Sequence, residues 1–244
     1  MRLTGDEFDA WTAAFYEGRH LHRTWGQVSE DAHVPLVSLA TQRRKNAVDL
    51  DILVRVTRHH GGSPLEELRR IQRVRPLIDG SSRPSCYEVA ASLHPAWALM
   101  ELAARSSGHL AMDFSGLNDD PSQYQYRFAT WVDITTGKRG RPQLQAALGG
   151  SESRVVRRLR GTDTFALDEI LRSAGPAGLS ALWGAVLGGY LLPQEIGLAT
   201  DYRQFALRDL DDDALFRIVS AQARYARKTT RDRRIVEHGK RLPR

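Results

Sequence analysis

Apolar residues recur along this chain at the three- and four-residue spacing of amphipathic helices, and clear two-residue alternation is rare. Phe8, Trp11 and Phe15 form one such stripe behind Thr4 and Asp6, which can cap a helix start. Ile52, Leu53 and Val56 follow Asp49 and Asp51, and Leu65, Leu68, Ile71 and Leu77 follow Ser63, with Pro64 at the first helical position. Residues 95–104 are rich in Ala and Leu, and Leu215, Ile218, Val219 and Ala223 follow an acidic run at 211–213 that suits a helix N-terminus. The best strand candidate, 124–134, reads equally as a helix with Tyr124, Phe128 and Trp131 on one face. The expected fold class is all-α. Turn-forming residues at 79–84 and 115–121 punctuate the chain and suggest segments 1–78, 79–120 (a helical connector) and 121–244. The Arg-dense tail 228–244 reads as a frayed helix or a basic arm.

Composition narrows the class. The 244 residues are 41% hydrophobic and 26% charged, enough for one large or two small domains with a real core. The single Cys86 excludes an internal disulfide and a cysteine-only zinc site, and suits a reducing cytoplasm, the expected location. The N-terminus carries no apolar leader pattern. The stretch 179–192 is uncharged but contains three glycines and is too short to cross a bilayer, so a buried helix is expected there and no membrane partner. Net charge is +6, and only four of the 35 basic residues are Lys. Arg suits bidentate contacts to phosphate and guanine, which points to nucleic acid.

The segment 24–46, TWGQVSEDAHVPLVSLATQRRKN, sharpens that reading. It predicts a helix, a tight turn at His33-Val34, and a second helix opened by Pro35. Val28, Ala32 and Val34 are expected to face inward with Leu36, Leu39 and Ala40. Ser38, Thr41, Gln42, Arg44 and Lys45 are expected outside, with Arg43 beside them, and Thr24 and Gln27 at the start of the first helix. Short polar groups, an amide and cations on one helix face match what base edges and phosphates require. The segment resembles the Cro/C1-type (XRE-like) helix-turn-helix family, over about residues 6–78. His33 departs from the glycine common in that family's turn. The resemblance implies an N-terminal DNA-binding domain whose second helix lies in the major groove.

A similar arrangement returns 116 residues later, at 141–162. Leu144 falls on Val28, Leu148 on Ala32, Gly150 on Val34, Val155 on Leu39, Val156 on Ala40 and Arg160 on Arg44; upstream, Trp131 falls on Phe15. After one inserted residue, Leu167, Ile170 and Leu171 fall on Leu50, Leu53 and Val54. The turn here carries Gly149-Gly150, and Ser151 can cap the following helix. Lys138, Arg141, Ser151, Ser153, Arg154, Arg157, Arg158 and Arg160 are the candidate contacts of this second helix-turn-helix unit in a helical C-terminal domain. Its Arg run also fits a plain solvated face.

Other chemistry is not indicated. The phosphate-loop and nucleophile-elbow motifs are absent, and no enzyme is expected. His20 and His22, and His59-His60, lack a carboxylate or Cys partner at zinc spacing in the sequence; surface or phosphate-contacting roles are expected, with no metal and no cofactor. Cys86 is expected to be a small buried residue, and the Trp residues core. The C-terminal half is helical, unlike the β-rich self-cleaving domain of some phage repressors. The resemblance and the Arg-rich coding imply a sequence-specific repressor of double-stranded DNA, on the pattern of an actinobacteriophage immunity repressor. It would act as a monomer occluding a promoter on an asymmetric operator, with a homodimer as the alternative. The rival class is a helical protein–protein module of the antitoxin type.

Overall fold

Thr4 opens the chain's first helix by reciprocal capping: its hydroxyl accepts from the Glu7 N–H, and the Glu7 carboxylate accepts from the Thr4 N–H. The computed structural model describes residues 2–108, 127–159 and 164–224, and these are all-helical, apart from one antiparallel bridge between Leu3 and Val48. The helices are α1 (Gly5–Glu17), α2 (Trp25–Asp31), α3 (Leu36–Arg44), α4 (Leu50–His59), α5 (Pro64–Arg70), α6 (Arg75–Asp79), α7 (Cys86–Ser92) and α8 (Pro95–Ser106). There follow α9 (Arg127–Thr136), α10 (Gly140–Leu148), α11 (Glu152–Leu159), α12 (Leu167–Ala174), α13 (Ala181–Leu187), α14 (Tyr202–Arg208) and α15 (212–224). The ambiguous stretch 124–134 is helical from Arg127 onward; Tyr124, the loop at 115–121, Arg160 and the tail 228–244 lie outside the described residues. No described helix is long and apolar enough to cross a membrane.

The internal repeat runs through nearly the whole chain. Adding 117 to the bounds of α5 gives those of α13, and the same shift carries α4 onto α12, α7 onto α14 and α8 onto α15 within a residue or two. The turns repeat as well. Gly61 (φ +66°) and Gly178 (φ +72°) both adopt the left-handed conformation that glycine tolerates. The following Gly62 and Leu179 each donate to the carbonyl five residues back, Thr57 and Ala174, at 2.9 Å. Ser63 and Ser180 then cap α5 and α13 through their hydroxyls. Between α2 and α11 the shift is 116: His33 (φ +52°) in the first turn answers Gly149 (φ +63°) in the second. Phe15 and Trp131, Val28 and Leu144, Leu39 and Val155, and Leu53 and Ile170 are buried in both copies, whereas Leu148 is only partly buried where Ala32 is fully so.

One hydrophobic cluster draws residues from Leu3 to Ala206 and so joins both copies. Buried Glu88 on α7 bridges them, accepting from the Trp131 indole N–H at 3.3 Å and the Ser180 N–H at 2.8 Å. A second cluster places Ala90, Leu93, Trp97 and Leu102 of α7–α8 against Leu207, Leu215 and Ile218 of α14–α15.

Candidate nucleic-acid interface

The first helix pair is α2 and α3. Thr24 caps α2 by accepting from the Gln27 N–H at 3.1 Å. The turn closes where His33 takes a positive φ, and the Ser29 hydroxyl donates to the Val34 carbonyl at 2.6 Å. Val28, Ala32 and Leu39 are buried as expected. Leu36 and Ala40 are not: both are exposed, and Val37 is 78% exposed. The face that α3 presents outward therefore carries Leu36, Val37, Ser38, Ala40, Arg44 and Lys45. Among the described residues neither Arg44 nor Lys45 has an ion-pair partner, so both charges are available.

Three expected contact residues are held by the scaffold. Arg43 grips Asp9 of α1 with two hydrogen bonds of 2.8 and 2.6 Å and lies 3.4 Å over the Trp25 ring, where the ring quadrupole favours a cation. Gln42 accepts from the Asp49 N–H at 2.9 Å and so closes the start of α4, a role the Asp49 side chain does not take. Thr41 donates to the Val37 carbonyl at 2.7 Å within its own helix. Gln27 is exposed, with its amide on Asp31 at 2.7 Å.

The second pair is α10 and α11, joined through Gly149, Gly150 and Ser151. Ser151 and Ser153 are exposed and hydrogen-bonded to each other at 3.0 Å; Arg157 is also exposed. Arg141 is turned away from any reading role by a bidentate pair with Asp133. Lys138 lies in the short 3-10 turn Gly137–Arg139 before α10. Arg158 is largely buried and pairs with Glu169 of α12 at 2.5 Å, while Arg154 reaches the same carboxylate at 3.8 Å. Burial works to raise the Glu169 carboxyl; the hydrogen bonds from Arg158 and the Ala166 N–H and the charges of Arg158 and Arg154 outweigh it and hold it below the usual range.

Arg154, Arg158 and Glu169 line a charged cleft of about 610 Å³ between the copies, where α4 faces α12. Asp51 and Arg55 of α4 form an ion pair at 2.9 Å, and their counterparts Asp168 and Arg172 of α12 pair at 3.6 Å. Comparison with family models, curated proteins and solved structures finds no match.

Two further sequence expectations are tested by the geometry. Cys86 is half-buried, and burial, with the Asp209 carboxylate beside it, pushes its thiol up to about 11, which keeps it protonated and poorly nucleophilic at neutral pH. His59 and His60, which have no carboxylate at zinc spacing in the sequence, do have one beside them in space: Asp31, at the end of α2, lies 2.7 Å from His60 Nε2 and 3.5 Å from His59 Nε2. Sequence spacing cannot reveal this group, because the 27 residues between Asp31 and His59 fold α2 and α4 side by side.

Proposed function

We propose that the chain is a sequence-specific double-stranded DNA-binding repressor that reads an asymmetric site with two unlike helix-turn-helix units. The observation that carries the reading is the recurrence of one helix-pair geometry at one register, with His33 and Gly149 left-handed at equivalent turn positions, in a basic chain. A left-handed residue lets two short helices cross tightly enough for the second to project. The scaffold repeats, yet the outward faces do not: α3 offers Val37, Ser38, Arg44 and Lys45 where α11 offers Ser153, Arg154 and Arg157. Cations serve phosphates and guanine, and a small apolar group such as Val37 can contact a thymine methyl. Two different faces joined covalently favour two different half-sites, and the join raises the effective concentration of the second unit once the first has docked. Occlusion of a promoter is the simplest way such a protein represses.

Binding to genomic fragments measured over a salt series tests the reading. The expected slope of log K against log salt is about −5 to −9, for roughly six to ten phosphate contacts. A slope near zero refutes it. Leu36 and Val37, both exposed on α3, favour a second reading as a protein-docking module, which predicts that flat slope together with a stoichiometric protein complex.

A further inference from the structure

Asp31 is 1% exposed, yet its carboxylate gathers four polar partners. His60 Nε2 lies 2.7 Å from one oxygen and His59 Nε2 3.5 Å from the other. Gln27 donates to the His59-facing oxygen at 2.7 Å, and the buried Tyr16 hydroxyl donates to the other. Burial works to raise the Asp31 carboxyl, and the hydrogen bonds from Tyr16, Gln27 and His60 prevail and keep it low. The two imidazoles stand nearly perpendicular with centroids 5.0 Å apart, and the three nearest ligand atoms all fall within 4.8 Å of one another. The cluster borders a hollow lined by Gln27, Asp31, His33 and His59.

The repeated copy shows that the architecture does not require this cluster. At the equivalent positions it carries Ala147 for Asp31, Pro176 and Ala177 for His59 and His60, and Val132 for Tyr16. Apolar groups therefore close the same joint between helices, and burying a carboxylate there carries a desolvation cost that only a specific partner offsets.

We propose that Asp31, His59 and His60 form a binding site for a divalent transition-metal ion of the zinc class. Two imidazole nitrogens and one carboxylate oxygen are ligands that Zn²⁺ accepts, at about 2.0–2.2 Å each, which sets ligand atoms roughly 3.3 Å apart in a tetrahedron. His59 Nε2 lies 3.5 Å from Oδ1 and His60 Nε2 2.7 Å from Oδ2 of that carboxylate, so each imidazole already stands near ligand spacing from one of its oxygens. Tyr16 and Gln27 are the outer groups that orient the carboxylate. The fourth position faces the hollow beside His33, whose ring centroid is 6.1 Å from that of His59, and takes water or the His33 imidazole. The ion would tie the end of α2 to the end of α4, directly below the turn that leads into α3. This inference does not depend on DNA binding.

The test is titration of the full chain, stripped with chelator, with Co²⁺ followed by absorption and then with competing Zn²⁺. One Co²⁺ per chain is expected, with the visible bands of a nitrogen- and oxygen-ligated site that Zn²⁺ abolishes. Zn²⁺ at about 100 times its Kd should raise the thermal midpoint by roughly 5 °C or more. His59→Ala, at a side chain 45% exposed, should keep the metal-free midpoint and weaken binding about 100-fold; His59→Gln, which preserves bulk, should do the same, and Tyr16→Phe should cost about 10-fold. The double variant His20→Ala, His22→Ala should bind as the parent does. Absence of saturable binding, or binding that survives both His59 variants or is lost with His20 and His22, overturns the proposal.

Discussion

Arg43 and Arg44 are sequence neighbours with opposite expected roles, and substituting each by Ala separates scaffold from reading face. Arg43 is partly buried, pairs bidentately with Asp9 and lies 3.4 Å over Trp25. The pair is partly solvent-screened, so it contributes about 0.5–1 kcal/mol, and the cation–π contact adds about 0.5–1 kcal/mol. Its stem also packs on the indole. Arg43→Ala should therefore destabilise by about 1–2 kcal/mol, a fall in thermal midpoint of roughly 3–8 °C for a chain of this size. Arg44 is exposed and touches none of these groups, so Arg44→Ala should leave stability within about 0.5 kcal/mol. On DNA the order reverses: Arg44→Ala should flatten the salt slope by about 0.9 if the group neutralises one phosphate. Differential scanning calorimetry and binding over a salt series read the two effects independently. An Arg43→Ala variant with a native midpoint and weakened binding would refute this division, as would an Arg44→Ala variant that melts early but binds normally.

Gln42→Ala should remove the acceptor that closes the start of α4 and cost about 1 kcal/mol, visible as a lowered midpoint in thermal denaturation. Gly149→Ala forces a side chain into φ +63° and should destabilise by about 1 kcal/mol in chemical denaturation, whereas Gly150→Ala, at ordinary φ, should cost less. Val37→Glu should leave the midpoint unchanged, because the side chain is 78% exposed, and weaken DNA binding at least about 10-fold through phosphate repulsion. The Glu169 carboxyl is held low in the folded state, so its contribution to stability is present above the ordinary value of 4.5 and is lost as pH falls through the folded value. Glu169→Gln should remove that part of the acid-side slope of stability against pH, and an unchanged slope would show that the Arg158 pair contributes nothing.

Local chemistry was sufficient for the helices and many of their ends. Thr4, Ser63 and the 211–213 acidic run cap where capping residues precede apolar periodicity, because those bonds close within three or four residues. The repeat was visible in its central part from the spacing of Leu144, Val155 and Leu167. It extends further than apolar spacing suggests, and Gly61 with Gly178, Ser63 with Ser180, and Asp51–Arg55 with Asp168–Arg172 were the turn and charge signals that mark the rest.

Tertiary packing decided what faces outward. In α3 the apolar residues at 36, 37, 39 and 40 cover one arc of about 160°, which predicts a buried side centred on Leu36 and Ala40, yet the buried side lies at the edge of that arc, on Leu39. Packing against α1 and α2 chose Leu39, the hydrogen bonds to Asp49 and Asp9 drew Gln42 and Arg43 inward, and Leu36 and Ala40 were left in solvent. The same holds for Arg158, which reads in sequence as one of an exposed run and lies mostly buried against Glu169. The Asp31–His59–His60 cluster belongs wholly to the tertiary level, since its groups come from the ends of two helices that only packing brings together. Sequence determines which residues can be helical and charged; the direction of each charge depends on partners distant along the chain, and those distances close only when the chain folds.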